Sequence, residues 1–353
     1  MEIMVDYRYS QIYKDKTVLV TGHTGFKGSW LCAWLEYLGA NVIGYSLKAE
    51  TNPNHFEHLN LKITSIIGDI QERDKLKDVF ETYQPEIVFH LAAQAIVRYS
   101  YVNPVETFQT NIMGTINIFE ACRSCKSVKA IVNITSDKAY QNREKENGYR
   151  EDDPMGGHDP YSASKGCAEL ISASYRDSFF KDSGVLLASC RAGNVVGGGD
   201  WAEDRLVCDV FRAVAKGEKT QLRNPQALRP WQHVLDALSA YLLVGQRLLE
   251  GDESVATAWN FGPDDKSSIC VVEVLKLIKR HWSQAQYTIK RDEKNFHETS
   301  LLRLDCSKAK NELHWQTKYD VEETFKETTL WYKSYYEKNE ILTIQQLEKY
   351  IQG

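Results

Sequence analysis

A doubly wound α/β fold, with one parallel sheet covered by helices on both faces, is what this sequence predicts, and three observations carry the prediction. Short β-branched runs alternate with amphipathic stretches through the first half of the chain. The runs are apolar without period-2 alternation, as expected of strands buried on both faces. The first of them runs directly into a glycine-spaced turn, Gly22-His-Thr-Gly25-Phe-Lys-Gly28, that opens a helical pattern. Alternation of this kind demands right-handed crossovers and therefore a parallel sheet.

Thr17–Thr21 is the first strand, Trp30–Leu38 carries helical spacing, and Asn41–Tyr45 is the second strand. Ile63–Ile67 follows as the third strand and the charged stretch Gln71–Tyr83 as a helix. Glu86–Leu91, just after Pro85, is the fourth strand. One long helix covers Pro104–Cys122, Ala130–Ile134 is the fifth strand, Tyr161–Phe180 a helix and Val185–Cys190 the sixth strand. From about Gly193 the rhythm changes, with Gly, Asp, Trp and Pro gathered in Gly197–Trp201 and Arg229–Trp231. The expected organisation is a Rossmann dinucleotide-binding domain over 1–193 and a smaller C-terminal α/β substrate-binding lobe, mainly 194–353. The segment 232–260, which includes a helix over Val234–Leu249, is a candidate to return to the first domain. The tail Val321–Tyr350 reads as a helical cover for the lobe.

The 353 residues carry 43 basic and 48 acidic side chains, a net charge of −5 that argues against non-specific adhesion to nucleic acid. No window approaches the roughly 18 apolar residues of a membrane span. Met1–Lys16 lacks the apolar core of a secretory signal. The eight cysteines are scattered, and only Cys122 and Cys125 form a C-x-x-C, inside a helical pattern and without a second pair. They read as reduced helix residues of a cytoplasmic protein, and no metal site is expected.

A dinucleotide pyrophosphate needs close backbone approach and the free N–H groups of a helix N-terminus. Gly22 and Gly25 remove the Cβ atoms that would block the approach, and Gly28 lets the helix lie on the sheet; Thr24, Phe26 and Lys27 belong to the same loop. The second strand ends Tyr45-Ser46-Leu47, with neither the acidic residue usual for NAD nor an arginine pair suited to NADP. Asp69, before Ile70 at the end of the third strand, is placed either to accept from an adenine amine or to cap the following helix. NAD is the preferred dinucleotide.

Tyr161-Ser-Ala-Ser-Lys165 sets a phenol and an ammonium one helical turn apart. The positive charge is expected to pull the phenol toward neutrality, making a general base. Ser136, at the end of the fifth strand, completes the group.

With these motifs in place the sequence resembles the extended short-chain dehydrogenase/reductase family, in its nucleotide-sugar branch. The likeness rests on Gly22–Gly28, His90–Gln94, Asn111–Thr115, Thr135–Tyr140, Tyr161–Lys165, Arg191–Asn194 and Arg229–His233. It implies that His90–Ala93 passes under the nicotinamide ribose, with Leu91, Ala92 and Gln94 binding the cofactor, and that Asn111, also at the cofactor, supports the active-site helix and its proton-relay water. It also implies that Tyr161 and Lys165 face the cofactor and that Asn194 and the stretch after it meet the sugar diphosphate. Pairing through the two long helices is implied too, giving a homodimer or homotetramer.

Epimerases of this branch need only the Ser, Tyr and Lys, whereas a 4,6-dehydratase needs two more titratable groups after the Ser. Here they are Asp137 and Lys138, with Lys where the common dehydratases have Glu. Together with Thr21–Trp30, Gly199–Trp201 and Arg229–Asp236, they narrow the likeness to dehydratases of CDP-hexoses. Asp137 is the expected acid for the C6 hydroxyl and Lys138 the expected C5 base; Lys138 as electrostatic stabiliser of an enolate, or an Asp137–Lys138 ion pair fixing the loop, are the alternatives. Arg205 and Arg229 are candidates for the diphosphate, Asp200 and Trp201 for polar contact and stacking. His233 would share a helical face with Arg229 if a helix began that early. A sugar-nucleotide 4-epimerase and a non-catalytic nucleotide sensor are the competing readings.

Overall fold

The structure, a computed structural model, describes residues 11–222, 224–264, 267–289 and 302–352. The strands read from the first half are all present, as β1 (Thr17–Thr21), β2 (Asn41–Ser46), β3 (Thr64–Ile67), β4 (Ile87–His90), β5 (Ala130–Ile134) and β6 (Leu186–Ala192). After them come β7 (Asn194–Val196), β8 (Thr220–Leu222), β9 (Leu228–His233), β10 (Ala258–Phe261) and β11 (Ser268–Cys270). The main sheet has seven strands in the order β10-β6-β5-β4-β1-β2-β3, and every neighbouring pair in it is parallel. A smaller sheet, β11-β9-β7, lies beyond it.

The missing alternation in the strands has its counterpart in two cores. Val18 and Val20 of β1 pack with the helices Phe26–Tyr37 and Val234–Leu249 on one face. Leu19, between them, packs with Ile43, Val88 and the helices Arg73–Tyr83 and Gly114–Ser124 on the other. Each β1 side chain thus leaves water whichever way it points, a gain of about 1.5–3 kcal/mol per large aliphatic group.

Four helices differ from the periodicity, among them Tyr161–Phe180, which is an α-helix over Pro160–Tyr175 ending in a π turn, Arg176–Phe180. The first begins at Phe26 rather than Trp30, because Gly28 and Ser29 are buried against the loop and give no amphipathic signal. The long helix after Pro104 is interrupted by a π turn, Gln109–Met113. The tail breaks into Val321–Lys338 and Thr343–Gln352, with Asn339 left-handed at φ 57° between them. Among the described residues no helix is long and apolar enough to cross a membrane.

β1 leads to β2 on one side while its other neighbour, β4, leads to β5 in the opposite direction, so the strand order reverses between β1 and β4. A crevice opens there, at the carboxyl ends of the strands, where ligands bind in open α/β sheets.

Candidate active site

A cavity of about 990 Å³ fills that crevice, reaching from the glycine loop past Ser136 and Tyr161 to Arg229 and Trp231 of β9. Gly22 is left-handed at φ 75°, and a Cβ there would stand 2.8 Å from Ala92 N. A Cβ on Gly28 would overlap the carbonyl of Gly22. Gly25 precedes the helix, and no side chain caps the helix N-terminus. Unclaimed N–H groups beside a cradle kept open by glycine are what a pyrophosphate needs.

Thr24, Gly25, Phe26 and Lys27 line this end. Thr24 Oγ1 donates toward Leu47 O at 3.0 Å and stands 2.9 Å from Ser46 Oγ, which ties the loop to the end of β2. Burial, with the Arg205 and Lys165 cations nearby, lowers Lys27 to about 8. Asp69 and Ile70 lie on the same wall. The Asp69 carboxylate accepts from Gln71 N at 2.9 Å, while the next helix starts after Glu72; Asp69 closes a turn and does not cap that helix. Glu50, beyond β2, is an acidic wall residue that strand-end spacing does not reveal.

Leu91, Ala92 and Gln94 line the middle of the cavity, and Asn111 does not. Asn111 is buried inside the π turn. Its amide accepts from Gln94 N at 2.8 Å and donates to Gln94 O at 3.0 Å and Ser164 Oγ at 2.8 Å. It braces the loop after β4 against the Tyr161 helix, one step behind the wall. Such π turns often mark functional sites.

Ser136 leaves β5 and caps a short 3-10 turn, Asp137–Ala139, accepting from Lys138 N at 3.2 Å. Its hydroxyl donates to Asp137 Oδ1 at 3.0 Å. Tyr161 sits in the first turn of the helix Pro160–Tyr175, which Asp159 caps by accepting from Ser162 N at 2.9 Å. Ser136, Asp137, Lys138, Tyr161 and Lys165 all line the cavity. Tyr161 is only 8% exposed.

The phenol departs from expectation. Burial pushes Tyr161 up to about 12, against a lowering by its hydrogen bond with Ser136 and the nearby Arg205 charge. Lys165 is itself lowered to about 8 by burial, opposed by Glu169. In the chain alone, desolvation therefore outweighs Ser136 and the Arg205 charge at the phenol. Burial raises Asp137 above the ordinary carboxylate range even though Lys138 and Ser136 pull it down.

On the lobe side, Asn194, Asp200, Trp201, Arg205 and Arg229 line the cavity. Asp200 pairs with Arg205 at 2.9 Å. Trp201 is 4% exposed, packed edge-on against Trp331 and Tyr335 with its indole N–H donating to Tyr336 Oη at 3.1 Å. It is chiefly a core side chain. Arg229 is on β9 and, among the described residues, its guanidinium donates only to Leu228 O in the same strand, at 2.8 Å. His233 is off the cavity. It ends β9, so it shares no helical face with Arg229, and it is buried against Tyr319 and Trp30 while accepting from Leu235 N. Sequence reasoning also missed Arg98 and Asp204, a 3.4 Å pair on the cavity wall. Arg98 lies in a short helix, Val97–Val102, that has no periodic signature.

The family model described as GDP-mannose 4,6 dehydratase matches residues 19–328. The chain is 46% identical over 352 residues to CDP-glucose 4,6-dehydratase of Salmonella typhimurium, covering 98% of this chain and 97% of that protein. In structure it is similar to an epimerase from Methanothermobacter thermautotrophicus, with a TM-score of 0.84 at 23% identity over 97% of this chain and 98% of that one. It is also similar to dTDP-glucose 4,6-dehydratase from Bacillus anthracis in complex with NAD, with a TM-score of 0.77 at 23% identity over 92% and 98%. With a family model spanning most of its length and such a relative over nearly all of it, the chain belongs to the GDP-mannose 4,6 dehydratase family of extended short-chain dehydrogenases/reductases.

Proposed function

We infer that this chain is an NAD-dependent CDP-glucose 4,6-dehydratase, a hydro-lyase that converts CDP-D-glucose to CDP-4-keto-6-deoxy-D-glucose and water. The observation that carries the reading is the placement of Asp137 and Lys138 on the cavity wall beside Ser136 and Tyr161. An epimerase has no use for two further titratable groups there.

The glycine cradle and uncapped helix fit a dinucleotide, with Gly22, Thr24, Gly25, Phe26, Lys27 and Gly28 around the pyrophosphate, Asp69 and Ile70 toward the adenine, and Leu91, Ala92 and Gln94 along the ribose. Bound NAD⁺ supplies the hydride acceptor for C4, the donor for C6 and an added positive charge. Tyr161, hydrogen-bonded with Ser136 and near the Lys165 ammonium, takes the proton of the C4 hydroxyl. A ketone at C4 acidifies the C5 hydrogen. Lys138, in its neutral form, removes it; Asp137, held toward its protonated form by burial, protonates the C6 hydroxyl as water leaves; and Lys138 returns the proton to C5 when C6 receives hydride.

The diphosphate falls to Arg205 and Arg229, the second of which has a guanidinium with no carboxylate partner among the described residues. Asn194 and Asp200 complete that wall. The lobe carrying them is mainly 194–353, against a dinucleotide-binding unit of 1–193 to which 232–260 belongs through β10. Exposed Val102, Val105, Met113 and Leu170 on the long helices and the helix before them support a homodimer or homotetramer. Free cysteines throughout suit the cytoplasm.

Purified protein incubated with CDP-, dTDP-, UDP- and GDP-hexoses, followed by the alkaline absorbance of keto sugars, tests the reading. A keto-6-deoxy product from CDP-glucose is expected. A stable mixture of 4-epimers without it would replace this reading by an epimerase.

A further inference from the structure

Ser29, His55 and Thr343 form a buried chain of hydrogen bonds whose direction can be read. Ser29 Oγ donates to Phe26 O at 2.9 Å and stands 2.7 Å from His55 Nδ1. We assign its single proton to Phe26 O, which makes Nδ1 the ring nitrogen that carries the proton and donates to Ser29. His55 Nε2, 2.7 Å from Thr343 Oγ1, is then the acceptor. Thr343 in turn accepts from Trp331 Nε1 at 3.0 Å. The path runs Trp331, Thr343, His55, Ser29, Phe26: from the C-terminal helices to the first turn of the glycine-loop helix.

A second strut leaves the same place. Asn54, next to His55 and on the cavity wall, donates to Thr24 O at 3.1 Å. The His55 ring also fills the space that a Cβ on Gly199 would need, and Trp331 does the same at Gly198. Trp30 of the glycine-loop helix donates to Gly198 O at 2.8 Å. His55 is therefore where the glycine loop, the loop leading to Asp200 and the C-terminal helices meet.

We propose that His55 and Thr343 are positioning residues for the dinucleotide: the C-terminal helix, though outside the cavity, holds the glycine loop in its binding shape through this directed chain. The proposal rests on the dinucleotide reading of the cavity. Its logic is that removing the Thr343 hydroxyl leaves no arrangement in which both ring nitrogens of His55 are satisfied. If Nδ1 keeps the proton, Nε2 loses its donor. If the tautomer flips, Ser29 must turn to Nδ1 and release Phe26 O, loosening the first turn where the pyrophosphate binds. Burial lowers His55 to about 3, so the ring stays neutral and cannot satisfy both neighbours by taking a second proton.

Three variants and wild type decide it, with NAD⁺ and CDP-glucose dissociation constants measured by calorimetry. Thr343→Val should raise the NAD⁺ constant about three- to tenfold, the loss of roughly one buried hydrogen bond, with a smaller change for CDP-glucose. Thr343→Ser keeps the hydroxyl and should restore the wild-type constant. Thr328→Val makes the same chemical change in the same buried tail, where the hydroxyl bonds only Thr324 O, and should leave NAD⁺ binding alone. Nitrogen NMR of His55 should show the neutral Nδ1–H tautomer in wild type and not in Thr343→Val. Equal effects of Thr343→Val and Thr328→Val, or an Nε2–H tautomer in wild type, would overturn the proposal. Failure of wild type itself to bind NAD⁺ would instead overturn the dinucleotide reading.

Discussion

Ser136 donates a 3.0 Å hydrogen bond to Asp137 Oδ1, and the carboxyl that receives it is held above the usual carboxylate range by burial. The pair joins the group that assists the phenol to the group that can release a proton. Asp137→Asn keeps the acceptor for Ser136 but has no proton to give. Its kcat should fall about 10²- to 10⁴-fold, with the KM for CDP-glucose changed less than about threefold. Steady-state keto-sugar assays read both, and wild-type turnover in Asp137→Asn would remove Asp137 from the elimination.

Lys138 lines the cavity next to Asp137 and is assigned the C5 proton. Lys138→Ala should therefore stop after C4 and before loss of water. Borohydride quenching of the substrate complex should give parent hexose and its C4 epimer, with no 6-deoxy sugar. Solvent deuterium should no longer enter C5. A variant that still forms 6-deoxy sugar at the wild-type rate would show that another group is the base.

Most of the sheet was legible because β1, β2, β4, β5 and β6 are largely buried on both faces and the apolar runs say so directly, whereas β3 is an exposed edge strand. The glycine cradle was legible too, since Gly22 and Gly28 answer to close approaches that only missing Cβ atoms permit. Asn111 was legible as a support of the Tyr161 helix, and its amide does donate to Ser164 in that helix; what spacing could not show is that a π turn sets it behind the cavity wall rather than on it. His233 was misread because Arg229-Pro-Trp-Gln-His continues as strand β9, and four-residue spacing brings side chains together on a helix alone. The charge on Tyr161 was misread for a different reason. Sequence spacing gives the nearness of Lys165 but not the depth of burial, and here burial wins. The Thr343 link to His55 joins residues far apart in the chain, and nothing local in either segment announces it.

Arg229 and Arg205 separate binding from stability. Among the described residues Arg229 bonds only a backbone oxygen in its own strand, so Arg229→Met should leave Tm nearly unchanged and raise the KM for CDP-glucose at least about tenfold, the equivalent of about 1.4 kcal/mol. Arg205→Met also strands the buried Asp200 carboxylate, its 2.9 Å partner, and should lose about 1–3 kcal/mol of stability in addition. Calorimetric melting and KM measured on both variants check this. Equal loss of Tm in the two would contradict the assigned partners.

Asp236 makes a prediction about folding rather than catalysis. It lies buried in the helix Val234–Leu249, and its Oδ1 accepts from Lys318 N at 2.7 Å and Tyr350 Oη at 2.8 Å, while Oδ2 has no partner. Burial raises it to about 7 despite those donors. The native chain thus keeps a proton that the unfolded chain releases near pH 4. Stability from this group is fully present below about pH 4, falls as pH rises toward 7, and is level above. His233 opposes the trend, since burial keeps it neutral while the unfolded imidazole gains a proton below about 6.5, so wild type alone is a poor reporter. Asp236→Asn retains the Oδ1 acceptor without the ionisation, and the difference between variant and wild type cancels His233. Urea unfolding should find the two proteins within about 1 kcal/mol at pH 4 and the variant more stable by a few kcal/mol at pH 8. A difference independent of pH would mean that Asp236 ionises in the native chain as readily as in the unfolded one.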